Sequence, residues 1–179
     1  MINRIPFWFR PFMLFALVLG TYFFVSDPAR RLEAALVGSL GSTVSDRIVG
    51  LGSSTTILVR SNDGLFAADV ARGCSSAVAI SVVVGIALLL TSGTTVARLR
   101  ASMRAVIFVA VANLIRLFLI VLVGSYGGTG VLALAHDLIG TTLAYMSLAY
   151  ALYLLARDSV RQEVEPPLAM RKITLRIPR

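Results

Sequence analysis

The sequence predicts an all-α integral membrane protein of four transmembrane helices, with a short extracytoplasmic amphipathic helix and a β-hairpin between the first and second. Three observations lead there. Hydrophobic residues make up 57% of the chain and charged residues only 15%, with a mean hydropathy of +0.84, which is too apolar for an ordinary soluble domain. The apolar residues fall into long blocks, each close to the roughly 20 residues needed to cross hydrocarbon. The basic residues flank those blocks, so the net charge of +8 serves membrane orientation rather than nucleic-acid binding. A chain of 179 residues then holds one membrane domain and hardly a soluble one beside it.

The first span is expected over about residues 7–25. Arg4 and Arg10 precede an apolar run as in a secretory signal, but the run is long for one. Ser26-Asp27-Pro28-Ala29-Arg30 also lacks a small-x-small cleavage site, so the span is retained. Pro6 and Pro11 suit a helix start. Residues 26–73 form the extracytoplasmic segment. Within it Leu32, Leu36, Leu40, Val44 and Ile48 recur every fourth residue, which predicts a helix lying on the membrane surface, with Gly38 and Gly41 unfavourable inside it. Thr55 to Arg60 and Gly64 to Val70 flank Ser61-Asn62-Asp63-Gly64, a β-branched run and an Asp-Gly turn that predict a hairpin.

The second span, about 75–91, carries the small residues Ala77, Ser81 and Gly85 on the face of Cys74, which favours close helix approach in lipid. A loop over Ser92 to Ser102 leads to the third span, about 103–123, which contains Asn113 and Arg116. Gly124, Gly127, Gly128 and Gly130 mark a tight turn. The fourth span covers about 131–155 with His136 near its start, and 156–179 is a basic tail suited to anionic lipid. One orientation gathers 11 of the 17 Lys and Arg on one side, which places both termini in the cytoplasm and the hairpin outside the plasma (inner) membrane. Arg30, Arg31, Arg47, Arg60 and Arg72 remain outside, where Asp27, Glu33, Asp46, Asp63 and Asp69 balance them.

Depth brings three reactive groups together. Counted at about 1.5 Å per residue from the inner edge, Cys74 lies roughly 26 Å away and His136 roughly 29 Å, both at the outer boundary. Arg116, roughly 18 Å in, is deeper, and its side chain has to curl outward against the tilt of its Cα–Cβ bond. An arginine inside a span costs at least about 2.5 kcal/mol on insertion scales, so it should meet a partner or a watery cavity. Asn113, three residues earlier, shares its helical face, and Gly140 shares the face of His136 and leaves room there. Thiol nucleophile, imidazole proton carrier and guanidinium oxyanion stabiliser suffice for acyl transfer, and a helix N-terminus favours a thiolate at Cys74.

Each residue also has a plainer reading. A single cysteine in a membrane protein is more often a packing residue, a lone histidine an interfacial one, and Arg116 alone binds an Asn or backbone carbonyls. Asp137 points to another face and is taken as solvated, and Ser75 and Ser76 as helix-start residues. One cysteine and one histidine are too few soft ligands for a structural zinc site, and no cofactor is expected.

Cys74-Ser75-Ser76, Asn113-Leu114-Ile115-Arg116 and His136-Asp137-Leu138-Ile139-Gly140, in this order on successive spans, resemble the exosortase/archaeosortase family of membrane-embedded cysteine transpeptidase-like enzymes. The strand pair before the cysteine is similar to the family's approach segment. Ser76 stands where the family has glycine, and four spans are fewer than members commonly have, which leaves a place for an oligomer or a partner membrane protein. The resemblance implies catalytic Cys74, Arg116 and His136 supported by Asn113, Ser75 and Gly140. It also implies, as substrates, exported proteins ending in a recognition motif, a transmembrane helix and a basic cluster, cleaved through a thioester and passed to an acceptor or water. The competing reading is a non-catalytic membrane assembly or scaffold protein. A small transporter is a third, disfavoured by the single intramembrane basic residue and the lack of paired broken helices.

Overall fold

A computed structural model describes residues 6–50, 54–89 and 95–164. The chain is mostly helical. A short 3₁₀ turn, Phe7–Phe9, leads into α1 (Arg10–Gly20), which continues through a π turn, Thr21–Val25, into α2 (Ser26–Val44). Helical structure is therefore unbroken over 35 residues from Arg10 to Val44, roughly 52 Å at about 1.5 Å per residue and well beyond a hydrocarbon core of about 30 Å. This corrects the expected separate surface helix. The reason lies in the π turn, which widens the helix just before Pro28 and so absorbs the missing N–H that would otherwise break it. Ser26 Oγ ties the junction by donating to Tyr22 O at 2.5 Å.

The face that α2 buries is made of Glu33, Ala34, Val37, Gly38 and Gly41, while Leu32, Leu36, Leu40 and Val44 are exposed. Ile48, the fifth member of the expected stripe, is instead buried in a strand that the sequence did not predict. That strand, β1 (Ile48–Gly50), pairs antiparallel with β2 (Thr56–Ser61), which pairs with β3 (Gly64–Asp69), in the order β1-β2-β3. The two glycines that weaken α2 as a helix are what let the sheet reach it. A Cβ on Gly41 would lie 2.5 Å from Ile48 Cγ2, and one on Gly38 would overlap the Gly50 backbone.

A 3₁₀ turn, Arg72–Cys74, follows the sheet and opens α3 (Ser76–Leu89). Next, α4 (Thr95–Leu134) starts eight residues before the expected third span and so shortens the predicted loop; residues 90–94 lie outside the described set. The helix is broken at Gly128, whose φ of 74° and ψ of −169° reverse the chain where the glycine cluster predicts a turn. A side chain at that φ is strained, and a Cβ would meet the Asp63 carboxylate at the tip of the hairpin. The two arms run antiparallel: Arg104 pairs with Asp158 at 3.2 Å, and the rings of Phe108 and Tyr150 lie 4.9 Å apart. The second arm passes through another π turn, Ala135–Gly140, into α5 (Thr141–Val164). That helix carries the start of the expected tail, and residues 165–179 lie outside the described set.

Two helical stretches, Arg10–Val44 and Arg98–Asp158, are long and apolar enough to cross a membrane, and Ser76–Leu89 is a shorter apolar helix. Two cores hold the parts together. One wedges the sheet between α2 and α4 with Val37, Ile57, Val59, Val70, Cys74, Leu117 and Val121. The other packs α3, α4 and α5 through small residues, Val83, Ala87, Ala101, Ala105, Val109 and Ala151, as closely approaching helices require. The predicted small-residue face of α3 is buried at Ala77 and Ser81, and Gly85 receives Leu14 and Leu17 of α1.

Candidate functional site

Cys74 is buried where the 3₁₀ turn meets α3, in the same core as Val70 and Leu117. Its Sγ lies 2.9 Å from His136 Nε2. The histidine comes from the π turn Ala135–Gly140, a widened register that recurs at functional positions in helices. Its other nitrogen, Nδ1, is 2.9 Å from Asp137 Oδ1. Asp137 was expected to be solvated and to face away. It is 81% exposed, yet its short side chain folds back on the neighbouring ring. With the Nδ1 proton donated to Asp137, Nε2 is left as an acceptor toward the thiol.

Asn113 and Arg116 enter from the first arm of α4. The Asn113 amide donates from Nδ2 to Cys74 O at 3.0 Å, and its Oδ1 accepts from Arg116 Nη1 at 3.2 Å. Arg116 is thus linked to the cysteine through Asn113, with its guanidinium turned back one helical turn as the Cα–Cβ tilt requires. Its Nε is buried without a partner. Gly140 makes room for it: a Cβ there would lie 3.3 Å from Arg116 Nε and 2.8 Å from Ile120 Cδ1. Ser75 is buried, and its Oγ accepts from Ala77 N at 3.3 Å, so it serves the first turn of α3 and makes no hydrogen bond to the thiol.

The sequence reading missed Glu33, which it treated as a loop charge. On α2 it is 6% exposed, and its Oε1 accepts three hydrogen bonds: from Ser76 N at 2.8 Å, Ser76 Oγ at 2.5 Å and Asn113 Nδ2 at 3.2 Å. One oxygen therefore joins α2, the start of α3 and α4 directly behind the cysteine. Its position on the glycine-bearing, non-leucine face of α2 was the available signal. A cavity of about 160 Å³ opens beside the pair, lined by Ile57, Ala67, Ala68, Asp69 and Val70 from the sheet and by Cys74, Leu117, Ile120, Val121, Leu132 and His136. A larger apolar groove of about 480 Å³ runs between α1, α2, α3 and α4 and touches Glu33 and Ser76.

A charged clasp fixes the segment that carries the cysteine. Arg72 forks onto both Asp27 oxygens at 3.3 Å. Arg30 reaches Asp27 and Asp69 at 3.0 Å each and donates to Val70 O, and Thr55 Oγ1 donates to Asp69 at 2.5 Å. The hydrogen bond from Arg72 holds the Asp27 carboxyl below its ordinary value of 3.8, assisted by Arg30 and opposed by partial desolvation. A depressed carboxyl stabilises the fold fully above that ordinary value and loses the contribution as pH falls through the lower, folded value. Protection of the amides over residues 64–73 against hydrogen exchange, taken relative to the intrinsic rate at each pH, should therefore stay constant from pH 7 to about 5 and fall only below about 4. Asp27→Asn should already show the lowered protection at neutral pH.

Among the described residues no three His, Cys, Asp or Glu side chains gather to hold a metal ion. The site is a thiol–imidazole–carboxylate row, with a guanidinium held one amide away. No family model, curated protein or solved structure matches the chain.

Proposed function

We propose that the chain is an exosortase-like membrane cysteine protease or transpeptidase that cleaves the C-terminal sorting signal of exported proteins. The observation that carries this reading is the 2.9 Å approach of Cys74 Sγ to His136 Nε2, with Asp137 on the opposite nitrogen. Nucleophile, base and orienting carboxylate in such a row are the parts that acyl transfer needs. Cys74 gives its proton to His136 and attacks the scissile carbonyl. Arg116, anchored by Asn113 and with Nε unpartnered, stabilises the oxyanion. The C–N bond breaks, the leaving amine takes the proton from His136, and the acyl group remains on sulfur as a thioester. An acceptor nucleophile or water then releases it.

In this reading Arg10–Gly20 with its π turn, α3 and the two arms broken at Gly128 are four membrane spans, with both termini cytoplasmic in the plasma (inner) membrane. Phe12, Phe15, Phe23, Phe24, Ile107, Val111, Leu138 and Tyr145 are all exposed, which lipid would cover. The sheet and clasp then sit outside, level with the thiol.

The test is co-expression with exported proteins that end in an apolar helix and a basic cluster. Intact mass should show them shortened, and Cys74 should carry an adduct that hydroxylamine removes. No shortening of any such protein overturns the reading.

A further inference from the structure

Strand register decides which backbone groups of β3 are in use. Ser61 opposes Gly64 across the two-residue turn, and from that closing pair every second pair exchanges hydrogen bonds: Ser61 with Gly64, Val59 with Phe66, Ile57 with Ala68. Val70 N donates to Thr55 O at 2.9 Å, which continues the alternation. Leu65, Ala67 and Asp69 therefore turn their N–H and C=O groups away from β2, toward the side of the sheet that carries no further strand among the described residues. Unpaired edge groups of this kind are a template for another extended chain.

The edge leads to the site. Ala67, Ala68, Asp69 and Val70 form one wall of the 160 Å³ cavity, and Cys74 and His136 stand on another. The β3 strand runs toward the cysteine, which follows it after one 3₁₀ turn. From Leu65 to Asp69 the edge is about 13 Å long at roughly 3.3 Å per residue, the length of about four substrate residues. The clasp holds this strand in register, since Arg30 bonds both the Asp69 carboxylate and Val70 O.

We propose that the free edge of β3 is the substrate-docking strand. A polypeptide adds to it as a fourth strand, with the residues before the scissile bond parallel to β3, and so delivers its carbonyl to Cys74. This rests on the reading of Cys74 as a nucleophile. Recognition then goes chiefly through the substrate backbone, and its period is two: alternate amides of the substrate face β3 and the others face away.

The test uses the full-length protein in detergent and follows the Cys74 adduct by mass. The probes are chloroacetamide and acetyl-Val-Thr-Ala-Ala-chloromethyl ketone, each referenced to its rate with free cysteine. The peptide reagent should gain about tenfold over chloroacetamide, the worth of one or two net hydrogen bonds. N-methylation of one alternate set of amides should remove the gain, and methylation of the intervening amides should keep it. Ala67→Pro deletes an outward N–H without touching the β2 ladder and should also remove the gain. Equal gains for all probes, or equal loss at every methylated position, overturn the proposal. Fast chloroacetamide labelling without a peptide gain rejects the docking edge alone. Labelling by chloroacetamide no faster than that of free cysteine rejects the nucleophile, and the docking edge with it.

Discussion

Cys74→Ala should abolish shortening of a co-expressed substrate, and Arg116→Met should slow it about 10²–10³-fold, the cost of losing one oxyanion donor. The two variants fail differently. Without Cys74 there is no acyl acceptor, so neither product nor thioester forms. Without Arg116 the contact between Cys74 Sγ and His136 Nε2 is untouched, because the guanidinium is bonded to Asn113 and to neither of them. Chloroacetamide should therefore label Cys74 in Arg116→Met within a few-fold of the parent rate while processing collapses. In the proposed topology, removing this charge from a span also relieves an insertion cost of at least about 2.5 kcal/mol, so poor assembly is not the expected cause. Processing by Arg116→Met at the parent rate would end its assignment as oxyanion stabiliser.

Glu33→Ala should destabilise the protein by roughly 3 kcal/mol, because three donors lose one buried acceptor. Ser76 N, Ser76 Oγ and Asn113 Nδ2 all converge on Glu33 Oε1. The carboxylate also fixes the orientation of the Asn113 amide. A flip would set the Asn113 oxygen against Glu33 and Cys74 O, and its nitrogen against Arg116, replacing attraction by repulsion at three contacts. Glu33→Gln keeps an oxygen for these donors and should lose about 1 kcal/mol or less. Unfolding in detergent compares the two, and equal stability of Glu33→Ala and the parent would show that the junction behind the cysteine does not depend on this oxygen.

What the sequence made legible follows from the strength of each local signal. Long apolar runs and the Asn-Asp-Gly turn are strong signals, so the mostly helical character and the hairpin of β2 and β3 stand as expected, while the helix boundaries at α2 and α4 do not. Cys74 and His136 were paired by depth alone, which works because a straight helix converts residue number into height. The strand β1 was hidden for two reasons. Three residues are too few to show a period, and Ile48 happens to fall at the fourth-residue spacing of the α2 stripe. Continuity through Pro28 was hidden because a π turn leaves no mark in composition. Glu33 looked like one more loop charge, since its meaning depends on partners 43 and 80 residues away. Asp137 is solvated as expected, but its contact with the His136 ring was missed because helical-wheel reasoning ignores that a short carboxylate can bend onto its neighbour.

The 62 residues that separate Cys74 from His136 also set a schedule for biosynthesis. At about 5–20 residues per second, a ribosome needs roughly 3–12 s after placing the thiol to supply its imidazole. For that interval the nascent chain carries the thiol without the imidazole that faces it in the fold, and on the proposed reading it gains its base only when the second arm of the last helical hairpin is made.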